Sequence, residues 1–195
     1  MNQREFFNSM AEKWDVVCKH DTHKINYFLE LLNIENGAKV LDVGTGTGVL
    51  IPYLTALVGA NGSIVAVDAS DKMLEVAKSK YHFSNVSFVC GDVLESNIPK
   101  NYFDSIICYS VFPHFQDKQK AIKIISQYLK KEGKFIICHS QSREHINNIH
   151  RNVSEAVAKD DLPDADTIKE YFLNSYMNVI CKIDNSDMFV IIAQK

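Results

Sequence analysis

The chain has 195 residues, of which 46% are hydrophobic and 23% are charged, and its formal net charge is −3. These proportions are typical of one globular domain with a sizeable core. The negative charge gives no field that attracts a nucleic-acid backbone, so a general nucleic-acid binder is disfavoured. The N-terminus has no apolar signal core, and no apolar run approaches the ~20 residues of a membrane span. We therefore expect a cytoplasmic protein without a membrane partner.

The cysteines favour neither a disulfide framework nor a zinc ribbon, because their number is odd and no CxxC occurs. Four of them fall in strand-like runs, where cysteine behaves as a small apolar residue. We expect reduced thiols packed in the core. The five cysteines are Cys18, Cys90, Cys108, Cys138 and Cys181.

Two helices are predicted before the first strand. The first covers residues 3–17, and the second covers residues 22–32 and ends in a turn at Asn36-Gly37. The apolar side chains that recur at helical spacing in the first helix are Phe6, Phe7, Met10 and Trp14. We expect residues 1–33 to form a helical lid over a core of residues 38–195, within a single domain.

Strands and helices alternate along the rest of the chain, which predicts a parallel sheet with helices on both faces. The last 20 residues predict an antiparallel hairpin that closes one edge of the sheet. The fold class is therefore α/β, with a doubly wound, mostly parallel seven-stranded sheet. The predicted strands before the hairpin are 39–43, 63–67, 86–90, 102–109 and 133–139. The predicted helices are 47–58, 71–81, 117–129, 142–158 and 165–174.

A glycine-rich turn, VLDVGTGTG at residues 40–48, joins the first parallel strand to the next helix. Its glycines permit a sharp turn and the close approach of a ligand, and a helix N-terminus offers free N–H groups beside it. Ligands of doubly wound sheets bind at this edge. The pattern is GxGxG, with Val49 where the dinucleotide fingerprint GxGxxG has its third glycine.

Three acidic residues lie at the ends of three successive strands. Asp42 would repel a diphosphate but suits a cationic ligand such as S-adenosylmethionine, which carries a sulfonium and an α-ammonium group. Asp68 can accept both hydroxyls of a ribose. Asp92 can accept from an adenine amino group, with Val93 and Met73 packing on the ring. Each acid taken singly could only cap a turn or a helix, but the three together favour a nucleoside ligand.

The segments VLDVGTGTG, VAVDAS, FVCGDV and FDSIICYSVFPHF resemble, in order and spacing, the core motifs of class I (Rossmann-like) S-adenosylmethionine-dependent methyltransferases. The likeness extends over roughly residues 10–140 and includes small-molecule members such as the ubiquinone/menaquinone-type C-methyltransferases. It implies methyl transfer to a small molecule, with release of S-adenosylhomocysteine.

The resemblance also implies the cofactor residues. Asp42 and residues 44–48 would hold the methionine end, Asp68 the ribose and Asp92 the adenine, while Trp14 would cover the cofactor. Tyr109 and Ser110 would border the transfer site. The full set assigned to the cofactor is Trp14, Asp42, Gly44, Thr45, Gly46, Gly48, Asp68, Ala69, Met73, Gly91, Asp92, Val93 and Tyr109.

Histidines supply the candidates for the acceptor side. Methyl transfer needs a base only if the nucleophile keeps a proton. His114 and His139 are the first choices, because each follows the carboxyl end of a strand and an unperturbed histidine has a pKa of ~6.5. His145 and His150 flank a predicted buried stripe on the helix from residue 142, and Arg143 could pair with an acidic acceptor. For each of these residues, ordinary packing or solvation is the alternative. The stripe consists of Ile146, Ile149, Val153 and Val157.

Several other functions are weighed against this one. A metal site is disfavoured, because His145 and His150 are five residues apart and HExxH spacing is absent. Methylation of adenine bases is disfavoured, because Tyr109 to Phe112 replaces the Asn/Asp-Pro-Pro-aromatic motif of that class. An NAD-type oxidoreductase and a non-catalytic S-adenosylmethionine-binding module stay open. The expected partner is a small-molecule substrate, and the expected assembly is a monomer or homodimer.

Overall fold

A computed structural model describes all 195 residues of the chain. Seven strands form one sheet in the order β3-β2-β1-β4-β5-β7-β6. The strands are β1 Lys39–Val43, β2 Ser63–Asp68, β3 Val86–Cys90, β4 Phe103–Tyr109, β5 Leu129–His139, β6 Asn178–Asp184 and β7 Phe189–Gln194. The helices are α1 Gln3–Met10, α2 Trp14–Val17, α3 Thr22–Leu32, α4 Ile51–Val58, α5 Asp71–Lys80, α6 Lys118–Ile125, α7 Arg143–Val153 and α8 Ala165–Leu173.

The pairing of the strands confirms the predicted fold class. Strands β1 to β5 pair in parallel, whereas β7 is antiparallel to both β5 and β6. Strand β1 lies in the middle, between β2 and β4. The chain reverses its direction of growth there, so the loops after β1 and β4 diverge and leave a crevice between them.

The N-terminal helices begin and end with recognisable caps. The Asn2 side chain accepts from the Glu5 N–H while the Glu5 carboxylate accepts from the Asn2 N–H, a capping box. Helix α3 begins at the Asp21 cap and ends at Asn33, whose left-handed backbone has a φ of 52°. The helix has the predicted bounds, but the residue that ends it is Asn33, which tolerates the left-handed conformation, and not the predicted Asn36-Gly37 turn.

The helix after the glycine turn begins at Ile51, not at residue 47. Gly44, Gly46 and Gly48 have φ values of 68°, 56° and 83°, which a right-handed helix excludes. The turn therefore extends through residue 50 before the helix starts. Strand β5, by contrast, begins four residues before the predicted position, at Leu129.

Helix α7 is shorter than predicted and ends at Val153. Of its expected buried stripe, Val153 is 56% exposed and Ile149 is only partly buried. Val157 is buried, but it lies in the loop after the helix. The predicted helix extends five residues too far, because the chain leaves the helix at Ser154 in an extended conformation.

The core lies on both faces of the sheet. One cluster packs α6 and α8 on strands β4 and β5 around Phe103, Phe135 and Phe172, and the other packs α3 and α4 around Phe28 and Leu54. Burial of each such side chain contributes about 1.5–3 kcal/mol. None of the helices is long and apolar enough to cross a membrane.

All five cysteines are free thiols. Cys108 and Cys138 are buried as expected, whereas Cys18 and Cys181 are only partly buried. The prediction of a core position is wrong for Cys90, which is exposed. Strand β3 is an edge strand of the sheet, and none of its five residues is fully buried.

Candidate active site

The glycine turn follows β1 directly and surrounds a buried carboxylate. Asp42 is 2% exposed, and its Oδ2 atom accepts a hydrogen bond of 2.6 Å from the Thr45 hydroxyl. Burial raises the pKa of Asp42 to about 7, although the Thr45 hydrogen bond works in the opposite direction. Asp42 takes part in no ion pair, so a cationic ligand placed here would meet an unneutralised carboxyl group.

Gly44 is a position where only glycine fits. Its φ is 68°, and a Cβ added there would lie 2.2 Å from Cγ2 of Val111 in the loop after β4. We expect Gly44→Ala to lower the free energy of unfolding by about 2–4 kcal/mol, through backbone strain and overpacking. Thermal unfolding measures this loss.

Gly37→Ala is the matched control for that experiment. Gly37 also has a positive φ, of 86°, but a Cβ there would meet nothing within 4 Å. This variant therefore carries the backbone strain alone. Equal losses for the two variants would contradict the close packing of the glycine turn against Val111.

Asp68 ends β2 and is hydrogen-bonded to the loop after β1 and to the loop after β2. Its Oδ2 accepts from the Gly46 N–H and its Oδ1 from the Ser70 N–H, both at 2.8 Å. Burial raises the pKa of Asp68, while these two hydrogen bonds lower it. Ala69 is exposed beside it, and Ser70 caps α5 by accepting from the N–H of Met73, which is buried.

Asp92 lies after β3, next to the same edge. It is exposed, and its Oδ1 accepts from the Leu94 N–H at 2.8 Å, which fixes a turn. The Gly91 N–H donates to the carbonyl oxygen of Asp68 at 2.9 Å, so the ends of β2 and β3 are tied together. Val93 is 4% exposed. The three acids predicted from the sequence are thus located at the ends of three adjacent strands.

The N-terminal segment covers this edge. Nε1 of Trp14 lies 4.0 Å from the point that a Cβ on Gly46 would occupy. Asn8 hydrogen-bonds to Ser70 and to Asp71, and Asp15 pairs with Lys80 while it accepts from the Thr47 hydroxyl. Contacts at both ends of the segment therefore hold it over the glycine turn.

Tyr109, at the end of β4, is 5% exposed. Its hydroxyl donates to Oγ of Ser140 at 3.3 Å and lies 3.1 Å from Nδ1 of His20. Burial raises the pKa of Tyr109 to about 12, so this hydroxyl keeps its proton. Ser110, the next residue, is exposed and has a φ of 55°, an unusual conformation for a residue with a side chain.

Two of the candidate histidines meet on the other side of the crevice. His114, in the turn after β4, has its Nδ1 2.8 Å from Oδ2 of Asp160. His150 on α7 donates from Nδ1 to the carbonyl oxygen of the same Asp160. The two imidazole rings are 5.0 Å apart, and the Phe7 ring lies 5.0 Å from His114.

His139, at the end of β5, is 3% exposed, and its Nε2 atom has no hydrogen-bond partner. Burial lowers the pKa of His139 to about 3, and charge on His114 or His150 acts in the same direction. The imidazole is therefore neutral at physiological pH. A base with so low a pKa removes protons weakly, so His139 is suited to hydrogen bonding and not to general-base catalysis.

The remaining two candidates lie apart from this group. Arg143 pairs with Asp184 at the end of β6, at 3.2 Å, and is therefore already engaged by a carboxylate. The His145 side chain is exposed on α7. No group of three or more histidine, cysteine, aspartate or glutamate side chains is arranged to hold a metal ion.

Sequence reasoning missed Asp160, which joins two of the histidines. Nothing local in the sequence distinguishes Asp160 from the exposed Asp161 beside it. Only the fold brings it to His114, 46 residues away in sequence. Gln3, which donates to Asp160 at 2.7 Å, was missed for the same reason.

Comparison with known proteins shows the family of the chain. A family model described as a methyltransferase domain matches residues 34–181. The chain belongs to the methyltransferase domain family. The matched residues include all of β1 to β5 and the three strand-end acids.

Two relatives and two solved structures illustrate the similarity. The ubiquinone/menaquinone biosynthesis C-methyltransferase of Shewanella oneidensis is 32% identical in sequence to this chain, over 71% of the chain's length. That of Proteus mirabilis is 31% identical over 67%. The chain spans only 59% and 56% of their lengths.

In fold, the chain is similar to an S-adenosylmethionine-dependent methyltransferase from Aquifex aeolicus, with a TM-score of 0.76, 20% identity and coverage of 96% and 97%. It is also similar to a phosphoethanolamine N-methyltransferase of Haemonchus contortus in complex with S-adenosylmethionine. There the TM-score is 0.78 with 16% identity, over all of this chain and 60% of that one.

Proposed function

We propose that this protein transfers a methyl group from S-adenosylmethionine to a small-molecule acceptor and releases S-adenosylhomocysteine. The observation that carries the proposal is the buried Asp42 carboxyl group beside a glycine turn, with Asp68 and Asp92 at the next two strand ends. A carboxylate buried without a cation attracts a sulfonium or ammonium group and repels a diphosphate. This favours the sulfonium nucleoside over NAD.

The ligand would lie along the edge formed by β1, β2 and β3. Asp42 and the glycine turn would hold the methionine end, Asp68 the ribose hydroxyls and Asp92 the adenine amino group. Trp14 would cover the ligand from the N-terminal side. The other residues assigned to this ligand are Gly44, Thr45, Gly46, Gly48, Ala69, Met73, Gly91, Val93 and Tyr109.

The bound cofactor supplies an electrophilic methyl group, whose bond to sulfur breaks with the electron pair remaining on sulfur. The protein has to align the acceptor with that bond and keep water out. His114 would take the proton that the acceptor loses, because its Nδ1 is hydrogen-bonded to Asp160 and its Nε2 is left available. His139 would offer its unpartnered Nε2 to a polar group of the acceptor. We place His150 beside them in the acceptor pocket.

For the protein as a whole, the proposal is a single domain with a small-molecule substrate, acting as a monomer or homodimer in the cytoplasm. The net charge of −3 speaks against a nucleic-acid partner. The structure gives Arg143 and His145 no contact with the histidine group, so we leave them out of the acceptor pocket.

Calorimetry with two ligands tests the proposal. We expect S-adenosylhomocysteine to bind and NADH to give no heat, because only the second brings a diphosphate to Asp42. Incubation with S-adenosylmethionine and a fractionated metabolite extract should then release S-adenosylhomocysteine. Tighter binding of NADH would indicate an oxidoreductase, and binding without release from any fraction would indicate a non-catalytic module.

Removal of residues 1–20 tests whether the N-terminal helices act as a lid. Ala11 is the only buried residue among them, so we expect the shortened protein to unfold cooperatively like the full chain. Affinity for S-adenosylhomocysteine should fall about tenfold, or ~1.4 kcal/mol, through loss of the Trp14 cover. Unchanged affinity and unchanged turnover would refute the lid.

A further inference from the structure

Asp160 is a buried carboxylate with no role of its own in the reaction proposed above. Its side chain is 3% exposed, and three side chains donate to it. Oδ2 accepts from Nε2 of Gln3 at 2.7 Å and from Nδ1 of His114 at 2.8 Å, while Oδ1 accepts from Nε2 of Gln116 at 3.4 Å. Three donors around one buried carboxylate indicate that the fold stabilises its negative charge.

The charge on Asp160 fixes the protonation pattern of His114. Burial alone would raise the pKa of Asp160, but the hydrogen bonds from His114 and Gln3 outweigh it and leave the pKa below its usual range. An ionised carboxylate can only accept, so Nδ1 of His114 must carry a proton. In the neutral imidazole, Nε2 is then the atom with the free lone pair.

His114 is connected through aromatic contacts to the residues proposed to hold the cofactor. The Phe7 ring is 5.0 Å from His114 and 5.6 Å from Trp14, and Trp14 lies over Gly46. A positive charge on His114 would lower the pKa of Asp68. His114 therefore lies in the turn after β4, beside the aromatic rings that connect it to the glycine turn.

We propose that Asp160 is a positioning residue that acts through His114. It holds the ring with Nε2 free toward the acceptor, and it stabilises the imidazolium that forms when His114 takes the proton of the acceptor. This inference rests on the proposed methyl transfer and names a residue that transfer requires. Asp160 itself contacts neither the acceptor nor the cofactor.

Gln3 extends the arrangement to the N-terminal lid. Its amide donates to Oδ2 of Asp160 and, at 3.1 Å, to the carbonyl oxygen of His114. Both bonds join α1 to the group around His114. The proposed lid, in the position seen here, therefore adds to the support of the proposed base.

The test compares Asp160→Ala with Asp161→Ala. Asp161 is the next residue, but its side chain is 56% exposed and pairs only with Arg151 on the surface. Long-range ¹H–¹⁵N spectra of each protein with bound S-adenosylhomocysteine report the tautomer of His114. We expect a single Nδ1–H tautomer in the wild type and in Asp161→Ala, and a mixed or inverted population in Asp160→Ala.

Turnover supplies the second readout, with the metabolite fraction that supports S-adenosylhomocysteine release by the wild type. We expect kcat of Asp160→Ala to fall about 100-fold, within the range of a lost general base. The KM for S-adenosylmethionine should stay within about twofold. Asp160→Asn keeps the size of the side chain and removes its charge, so it should lose kcat in the same way if the alanine variant does not fold.

Three results would overturn the inference: an unchanged His114 tautomer in Asp160→Ala, full kcat in Asp160→Asn, or equal losses in Asp160→Ala and Asp161→Ala. Failure of S-adenosylhomocysteine to bind the wild type would instead overturn the proposed function. A double-mutant cycle tests the role of Gln3, because the effect of Gln3→Ala on kcat should be smaller when Asp160 is already alanine and only the bond to the His114 carbonyl is lost.

Discussion

Replacing Asp68 by alanine is expected to weaken the binding of S-adenosylhomocysteine by at least about 100-fold. The ribose would lose two hydrogen bonds to a charged acceptor, each worth ~1.5–3 kcal/mol. The same carboxylate accepts from the Gly46 and Ser70 N–H groups, so its removal also frees the two loops that frame the site. Calorimetric titration measures the loss.

Two further variants make the result specific. Glu75→Ala removes an exposed carboxylate from α5, where it pairs with Lys72, and should leave the affinity unchanged. Asp68→Asn keeps one acceptor oxygen and should lose about tenfold. Wild-type affinity in Asp68→Ala, with cooperative thermal unfolding retained, would contradict the ribose assignment and with it the placement of the cofactor.

The parts of the fold that the sequence predicts well are those with local patterns. Strands β1 and β3 have the predicted bounds, because apolar runs between turn residues are the signature of covered parallel strands. Helix α3 begins and ends as predicted, since its buried residues recur at helical spacing. The start of α4 was missed because a glycine turn and a first helical turn have similar compositions, and only the backbone angles separate them.

The candidate site also has a part that local sequence patterns predict and a part that only tertiary packing brings together. The three acids at the ends of β1, β2 and β3 could be found, because a parallel sheet brings successive strand ends to one edge. The proposed acceptor side could not be predicted completely, because His114, Asp160 and Gln3 come from three distant segments that only tertiary packing joins. The burial of His139, which makes it a poor base, is equally a property of the fold.

The buried Asp42 should cost the ligand-free protein stability, so we expect Asp42→Asn to unfold at a higher temperature than the wild type at pH 8. The folded-state pKa of about 7 lies above the ordinary value of 3.8, so folding opposes ionisation of this group. Its favourable contribution is complete below pH ~4 and is lost as the pH rises through about 7. The difference of about three between these two pKa values corresponds to about 4 kcal/mol, which is the upper limit of the stability that Asp42→Asn gains at pH 8. Thermal unfolding of both proteins at pH 5 and pH 8 measures the difference.

The same substitution should weaken the binding of S-adenosylmethionine, and in the wild type this binding should strengthen as the pH rises from 6 to 8. Asp42 must be ionised to attract the sulfonium, so affinity should fall by up to about tenfold per pH unit below its pKa. Asp42→Asn should show no such slope. S-adenosylhomocysteine, which lacks the sulfonium charge but keeps the ammonium, should show a shallower one. Asp42→Asn could instead be more stable without ligand and still bind S-adenosylmethionine with wild-type affinity and wild-type pH dependence. That result would contradict the role of the Asp42 carboxylate in attracting the sulfonium. The carboxyl group would then have no part in binding the cation, because its removal would leave both the affinity and its pH dependence unchanged.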